Sequence, residues 1–84
     1  MTGAFTLNHS QYTLDMLVPG QCGTVLTMDG RIARRLNDLG LLPGTRVRCV
    51  LKSPLGDPTA YRIRDAVIAI RAADSRQITM GDVL

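Results

Sequence analysis

The feature that most constrains the fold of this chain is the ordered set of signals between Asp29 and Lys52. A short amphipathic segment is followed by Gly40, which suits a left-handed residue at a helix C-terminus, and then by a Pro43-Gly44 turn. A strand with alternating apolar and charged residues follows that turn. A helix, its end, a turn and a strand in this order favour a small barrel with one embedded helix.

The predicted helix is amphipathic, because apolar side chains recur at spacings of three and four with charged side chains between them. The apolar set is Ile32, Ala33, Leu36 and Leu39, and the charged set is Arg31, Arg34, Arg35 and Asp38. Asp29 is placed to cap the first turn, and Arg34 and Asp38 stand one turn apart, where they can pair.

Five short strands are predicted around this helix. They cover residues 23–28, 46–52, 61–64, 67–71 and 77–80, with a single helical turn at 72–76. The segment 67–71 is apolar on both faces, which indicates a central strand. The predicted fold class is all-β with one short helix, a small SH3-like β-barrel of five to six strands.

The 84 residues make one domain. We expect a flexible N-terminal arm over residues 1–11, which are polar and aperiodic, and a barrel domain over residues 12–84. Tryptophan is absent, so the core must be aliphatic. The predicted core residues are Val25, Leu36, Val47, Cys49, Ile63, Ile68 and Ile70, together with at least two of Leu39, Leu41 and Leu42.

The sequence contains no recognisable set of catalytic or metal-binding residues. His9 is the single histidine, and Cys22 and Cys49 lack a metal-ligand spacing, so no cofactor and no intrinsic metal site are expected. His9 is the candidate for adventitious metal binding. Neither a signal peptide nor a membrane-spanning segment is recognisable, which predicts a cytoplasmic protein with reduced cysteines.

The remaining candidates are interaction residues. The formal net charge of +3 is compatible with nucleic acid, an anionic membrane surface or an acidic protein partner. Arg34, Arg35 and Asp38 form the exposed helix face, and Leu55 and Asp57 lie in a loop between two prolines, whose rigidity lowers the entropy lost on binding. These five residues are the predicted partner-binding site.

Over residues 13–80 the chain resembles the FeoA family, small cytoplasmic proteins of bacterial ferrous-iron uptake. The matching residues are Val18-Pro19-Gly20, Gly23, Val25, Arg34-Arg35-Leu36, Leu39-Gly40-Leu41, Pro43-Gly44-Thr45, Pro54-Leu55-Gly56-Asp57-Pro58, Tyr61-Arg62-Ile63, Ala69-Ile70-Arg71, Asp74 and Ile78. The resemblance implies an SH3-like barrel, no enzyme activity, and a role in support of the membrane transporter FeoB through its cytoplasmic GTPase-like domain. The resemblance does not determine the oligomeric state, and a homodimer is compatible with it.

The competing hypothesis is an RNA- or ribosome-binding barrel, because the segment 19–25 also resembles the turn and strand of KOW-type RNA binders. Single-stranded RNA recognition favours exposed aromatic side chains for base stacking, and Phe5, Tyr12 and Tyr61 are the only aromatics. Asp residues also interrupt the basic residues along the chain. Nucleic acid is therefore the less favoured partner.

Overall fold

The computed structural model describes residues 12–84. The prediction of an N-terminal arm, and with it His9, lies outside the described residues. A 3-10 helix at Leu14–Met16 comes first. The remaining elements are β1 (Cys22–Met28), α1 (Gly30–Asn37), β2 (Arg46–Lys52), β3 (Thr59–Ile63), β4 (Ala66–Ile70), α2 (Ala72–Ser75) and β5 (Ile78–Gly81).

The strands form one antiparallel sheet in the order β4-β3-β2-β1-β5. The register shifts between Val25 and Thr27 in β1, and between Cys49 and Leu51 in β2. Such irregularities bend a strand and increase its twist, which lets a five-stranded sheet curve around a core. The predicted SH3-like fold class is confirmed, with five strands.

The prediction of a central position for the fourth strand is wrong, because β4 pairs only with β3 and lies at an edge of the sheet. Val67 is 52% exposed, whereas Ile70 is buried. An apolar run is typical of a strand that is covered on both faces. In β4, α1 covers one of the two faces only in part. The sheet therefore has a partly exposed apolar edge at β4.

Of the seven individually predicted core residues, the core contains all except Ile68, which is half-buried and packs against it. The sequence did not predict several further members of the core, although Ile32 was placed on the apolar side of the helix. The remaining core residues are Leu41, which was one of the three candidate leucines, and Leu14, Leu17, Ile32, Tyr61, Ile78 and Met80. Cys49 is buried and Cys22 half-buried, and both are free cysteines.

The prediction that two of the three leucines after the helix are buried is wrong. Leu41 is fully buried, but Leu39 is 49% and Leu42 38% exposed. The backbone N–H of Leu41 donates to the carbonyl of Leu36 over 3.0 Å, and Gly40, with φ of +89°, takes the left-handed position between them. This is a Schellman motif, which turns Leu41 inward toward Leu36 and leaves Leu39 outside.

Candidate protein-interaction surface

The helix α1 presents its arginines to solvent because its two ends and its apolar side are fixed. The carboxylate of Asp29 accepts a hydrogen bond from the backbone N–H of Arg31 over 2.9 Å, which confirms the predicted cap. Ile32 and Leu36 are buried under the helix. Arg34 and Arg35 consequently lie on its exposed side.

One ion pair joins α1 to the short helix α2. Arg35 Nη1 lies 3.9 Å from Asp74 Oδ2. No other ion pair occurs within residues 12–84, so the predicted pairing of Arg34 with Asp38 is not formed. An exposed pair of this length adds little stability, and it shows that Arg35 lies beside α2.

The loop between β2 and β3 is attached to the same helix α2. The carboxylate of Asp57 accepts a hydrogen bond from the backbone N–H of Ala72 over 2.9 Å. Within the loop, the N–H of Gly56 donates to the carbonyl of Ser53 over 2.7 Å. Leu55, at the tip of this turn, is 94% exposed.

These contacts link three of the five predicted site residues through α2. Arg35 contacts Asp74, Asp57 contacts Ala72, and Leu55 projects from the loop that Asp57 holds. Arg34 on α1 and Asp38 at its C-terminal end are exposed, and within residues 12–84 neither side chain forms an ion pair with the loop or with α2. We call the group Arg34, Arg35, Asp38, Leu55 and Asp57 the helix–loop surface.

An open groove runs between α1 and the edge strand β4, with a volume of about 190 Å³. Its lining residues are Arg35, Leu36, Leu39, Ile68, Ala69, Ile70, Arg71 and Asp74. The predicted site did not include Leu39, Ile68 or Ala69, and Ile68 and Leu39 had instead been considered as core residues. The apolar run of β4 is the sequence feature that could have indicated this groove. It does so only if β4 is known to lie at the edge of the sheet, which the strand order shows and the sequence does not.

The titratable groups with displaced pKa values belong to the core. Burial raises the pKa of the Cys49 thiol, and the Lys52 charge opposes this effect. Burial also raises the pKa of the Tyr61 hydroxyl, whose oxygen lies 3.4 Å from the carbonyl of Leu14 as a hydrogen-bond donor. Both groups are thus neutral at pH 7, and neither belongs to the helix–loop surface.

Within residues 12–84, no three His, Cys, Asp or Glu side chains are placed to hold a metal ion. The same residues contain no helix long and apolar enough to cross a membrane. The surface offers arginine and carboxylate groups, exposed leucines and an apolar edge, which can recognise another macromolecule.

The architecture defines a small SH3-like β-barrel protein with five antiparallel strands and short helices. The chain belongs to the FeoA domain family, whose model matches residues 12–80. This confirms the resemblance found in the sequence, and membership makes the chain a non-enzymatic accessory protein linked to ferrous-iron transport.

Solved structures agree with this assignment. The FeoA protein of Chlorobium tepidum is 28% identical with a TM-score of 0.76, over 82% of this chain and 68% of that one. FeoA of Stenotrophomonas maltophilia, solved in complex with zinc and described as a prokaryotic SH3 domain protein, is 30% identical with a TM-score of 0.69, over 81% and 87%.

A protein of a different functional class also contains this fold. A manganese-dependent transcriptional repressor is 17% identical with a TM-score of 0.75, over 83% of this chain and 36% of that one. This likeness shows a shared fold alone. No curated protein sequence matches the chain.

Proposed function

We propose that this protein regulates ferrous-iron uptake by binding the GTPase-like domain of the FeoB transporter on the cytoplasmic side of the membrane. The family's link to ferrous-iron transport supports the process. FeoA of Stenotrophomonas maltophilia is described as a candidate ferrous-iron transport activating factor, which supports a regulatory role. A non-enzymatic protein of this size acts through contact with a partner.

The observation that carries the proposed site is the connection of helix and loop through α2. Arg35 lies beside Asp74 of α2, and the Ala72 N–H of the same helix donates a hydrogen bond to Asp57. The hydrogen bond at Asp57 positions the loop in the free protein, and a positioned loop loses little conformational entropy on binding, which favours affinity.

The residues of the helix–loop surface then have separate roles. Arg34 and Arg35 are suited to carboxylates of the partner, because a guanidinium group donates two parallel hydrogen bonds to one carboxylate. Leu55 offers an exposed apolar contact at the loop tip. The Asp57 carboxylate already accepts a hydrogen bond within the protein, so we assign it to positioning the loop.

The test is a calorimetric titration of the soluble GTPase-like domain of FeoB with the full chain. We expect saturable binding that weakens with salt, since charged groups contribute to the encounter. The double variant Arg34→Glu/Arg35→Glu should weaken binding at least about tenfold if each arginine contributes about 1 kcal/mol. Circular dichroism establishes that the variant is folded.

A matched control is the double variant Arg48→Glu/Arg62→Glu, which makes the same change in net charge on exposed strand positions outside the helix–loop surface. It should bind the FeoB domain with nearly the parental affinity. A folded helix variant that binds as tightly as the parent contradicts the site. Equal weakening by both variants contradicts it as well, because net charge alone would then explain binding.

RNA binding is less well supported as the function. Among the described residues, Tyr61 is fully buried and Tyr12 is half-buried. The described surface thus lacks a fully exposed aromatic ring on which a base could stack.

A further inference from the structure

The outward side of β2 and β3 carries a cluster of arginines. Arg46 and Arg48 alternate along β2 with the buried Val47, and Arg62 lies directly opposite Arg48 in the antiparallel register. Arg64 follows β3 in the adjoining turn. We call these four residues, Arg46, Arg48, Arg62 and Arg64, the arginine face. Together with Cys22 and Val47 they line a shallow hollow of about 250 Å³.

The charge of the arginine face is not neutralised within residues 12–84. The single ion pair there joins Arg35 to Asp74, so none of the four guanidinium groups pairs with a carboxylate. Arg46 Nη1 donates to the neutral Thr24 hydroxyl over 2.9 Å and to the Asp82 carbonyl over 3.2 Å. Like charges opposite one another on paired strands destabilise a sheet, so the cluster does not serve the fold. Guanidinium groups without a carboxylate partner attract anions from outside the protein.

The residues that flank the arginine face are exposed and aliphatic. Val67 of β4 lies opposite Arg62 in the register and is 52% exposed. Val50 follows Arg48 on β2 and is 41% exposed. Neither of the described aromatic residues, Tyr12 and Tyr61, lines the hollow, so it offers no ring for base stacking. Cations bordered by short apolar side chains match the boundary between lipid headgroups and acyl chains.

We propose that the arginine face binds the anionic headgroups of a lipid bilayer and holds the protein reversibly against the membrane surface. Lipid headgroups diffuse laterally, so they can gather around guanidinium groups at whatever spacing the strands impose. Four arginines give an attachment that exchanges readily, because stable anchoring needs a lipid chain or an inserted helix in addition. The proposal goes beyond the contact with FeoB and uses none of the residues of the helix–loop surface.

The experiment is sedimentation of the full chain with vesicles of phosphatidylcholine, with and without phosphatidylglycerol. We expect binding to the anionic vesicles alone, and weaker binding as salt is added. The double variant Arg48→Gln/Arg62→Gln should lower the affinity about 30-fold, the loss expected for two basic residues near an anionic surface. Gln keeps a polar, similarly shaped side chain, and circular dichroism establishes folding.

The matched control is Arg34→Gln/Arg35→Gln, which removes the same charge from α1 and should keep most of the vesicle binding. Equal losses in the two variants overturn the proposal, because net charge would then suffice. Two further arms distinguish other occupants. Binding of inorganic pyrophosphate or of a single-stranded RNA by the arginine face, with no binding to anionic vesicles, also overturns it. The assay contains no FeoB, so its result is independent of the proposed protein contact.

Discussion

At the scale of single residues, the backbone conformation at Gly40 decides which leucines are buried. A φ of +89° is accessible to glycine without strain, and it lets Leu41 turn back onto Leu36. Helical spacing alone assigned Leu39 to the core. The helix ends before that position, however, so the spacing no longer applies there.

Replacing Leu36 by Ala should therefore cost far more than replacing Leu39. Leu36 is buried in the core, and a Leu→Ala change at such a site costs about 2–5 kcal/mol in free energy of unfolding. Leu39→Ala removes the same atoms from a half-exposed position and should cost less than about 1 kcal/mol. Urea unfolding of the two variants measures the difference. Equal losses would contradict the assignment of Leu36 to the core.

Tyr61 shows what local patterns cannot predict. The alternation with Arg62 correctly indicated a strand, but Tyr61 was not predicted to be in the core. Its complete burial depends on the 3-10 helix far away in the chain, whose Leu14 carbonyl accepts the tyrosine hydrogen bond. That helix has too few residues to give a helical period, so the sequence did not predict it.

At the scale of elements, the attachment of the β2–β3 loop to α2 is the contact that organises the helix–loop surface. Asp57→Ala removes the acceptor for the Ala72 N–H, whereas Asp57→Asn retains an oxygen there. We expect Asp57→Ala to lose about 1 kcal/mol, as for other helix caps, and Asp57→Asn to lose less.

Amide hydrogen exchange at Ala72 measures this contact directly. Exchange should be faster in Asp57→Ala than in the parent chain and close to the parent in Asp57→Asn. Asp38→Ala provides the control, since it removes an exposed carboxylate just after α1. Unchanged exchange in Asp57→Ala would show that the hydrogen bond does not hold the loop in solution.

The elements that the sequence predicted well are those with local causes. The cap at Asp29, the amphipathic face of α1 and the alternation along β2 all depend on residues a few positions apart. The edge position of β4 results from its pairing with β3 alone, and no pattern of neighbouring residues predicts how many strands will pair with it. The groove beside β4 was missed for the same reason, whereas the charges and the exposed loop of the predicted site could be located from the sequence.

At the scale of the whole molecule, stability should fall at alkaline pH. Burial raises the pKa of both Cys49 and Tyr61, so the folded protein retains these protons at a pH where the unfolded chain releases them. The free energy of unfolding is therefore at its full value below the ordinary thiol pKa and decreases as the pH rises through the folded values.

Urea unfolding at several pH values between 7 and 10 tests this dependence. Cys49→Ala removes one of the two groups and should flatten the decline, although the lost thiol lowers stability at every pH. Cys22→Ala removes the half-buried cysteine and should leave the decline in place. A parental stability that is constant up to pH 10 would contradict the expectation.

The strand pairs of the sheet differ in how far apart their two strands lie in the sequence. β2 pairs with β3 and β3 pairs with β4, so these two hairpins close short loops and can form early. β5 pairs with β1, which joins the two ends of the described chain and closes the longest loop. Folding would then proceed from the β2–β4 meander, with β5 docking late. Core substitutions in β3 would chiefly slow folding, and those at Ile78 would chiefly accelerate unfolding.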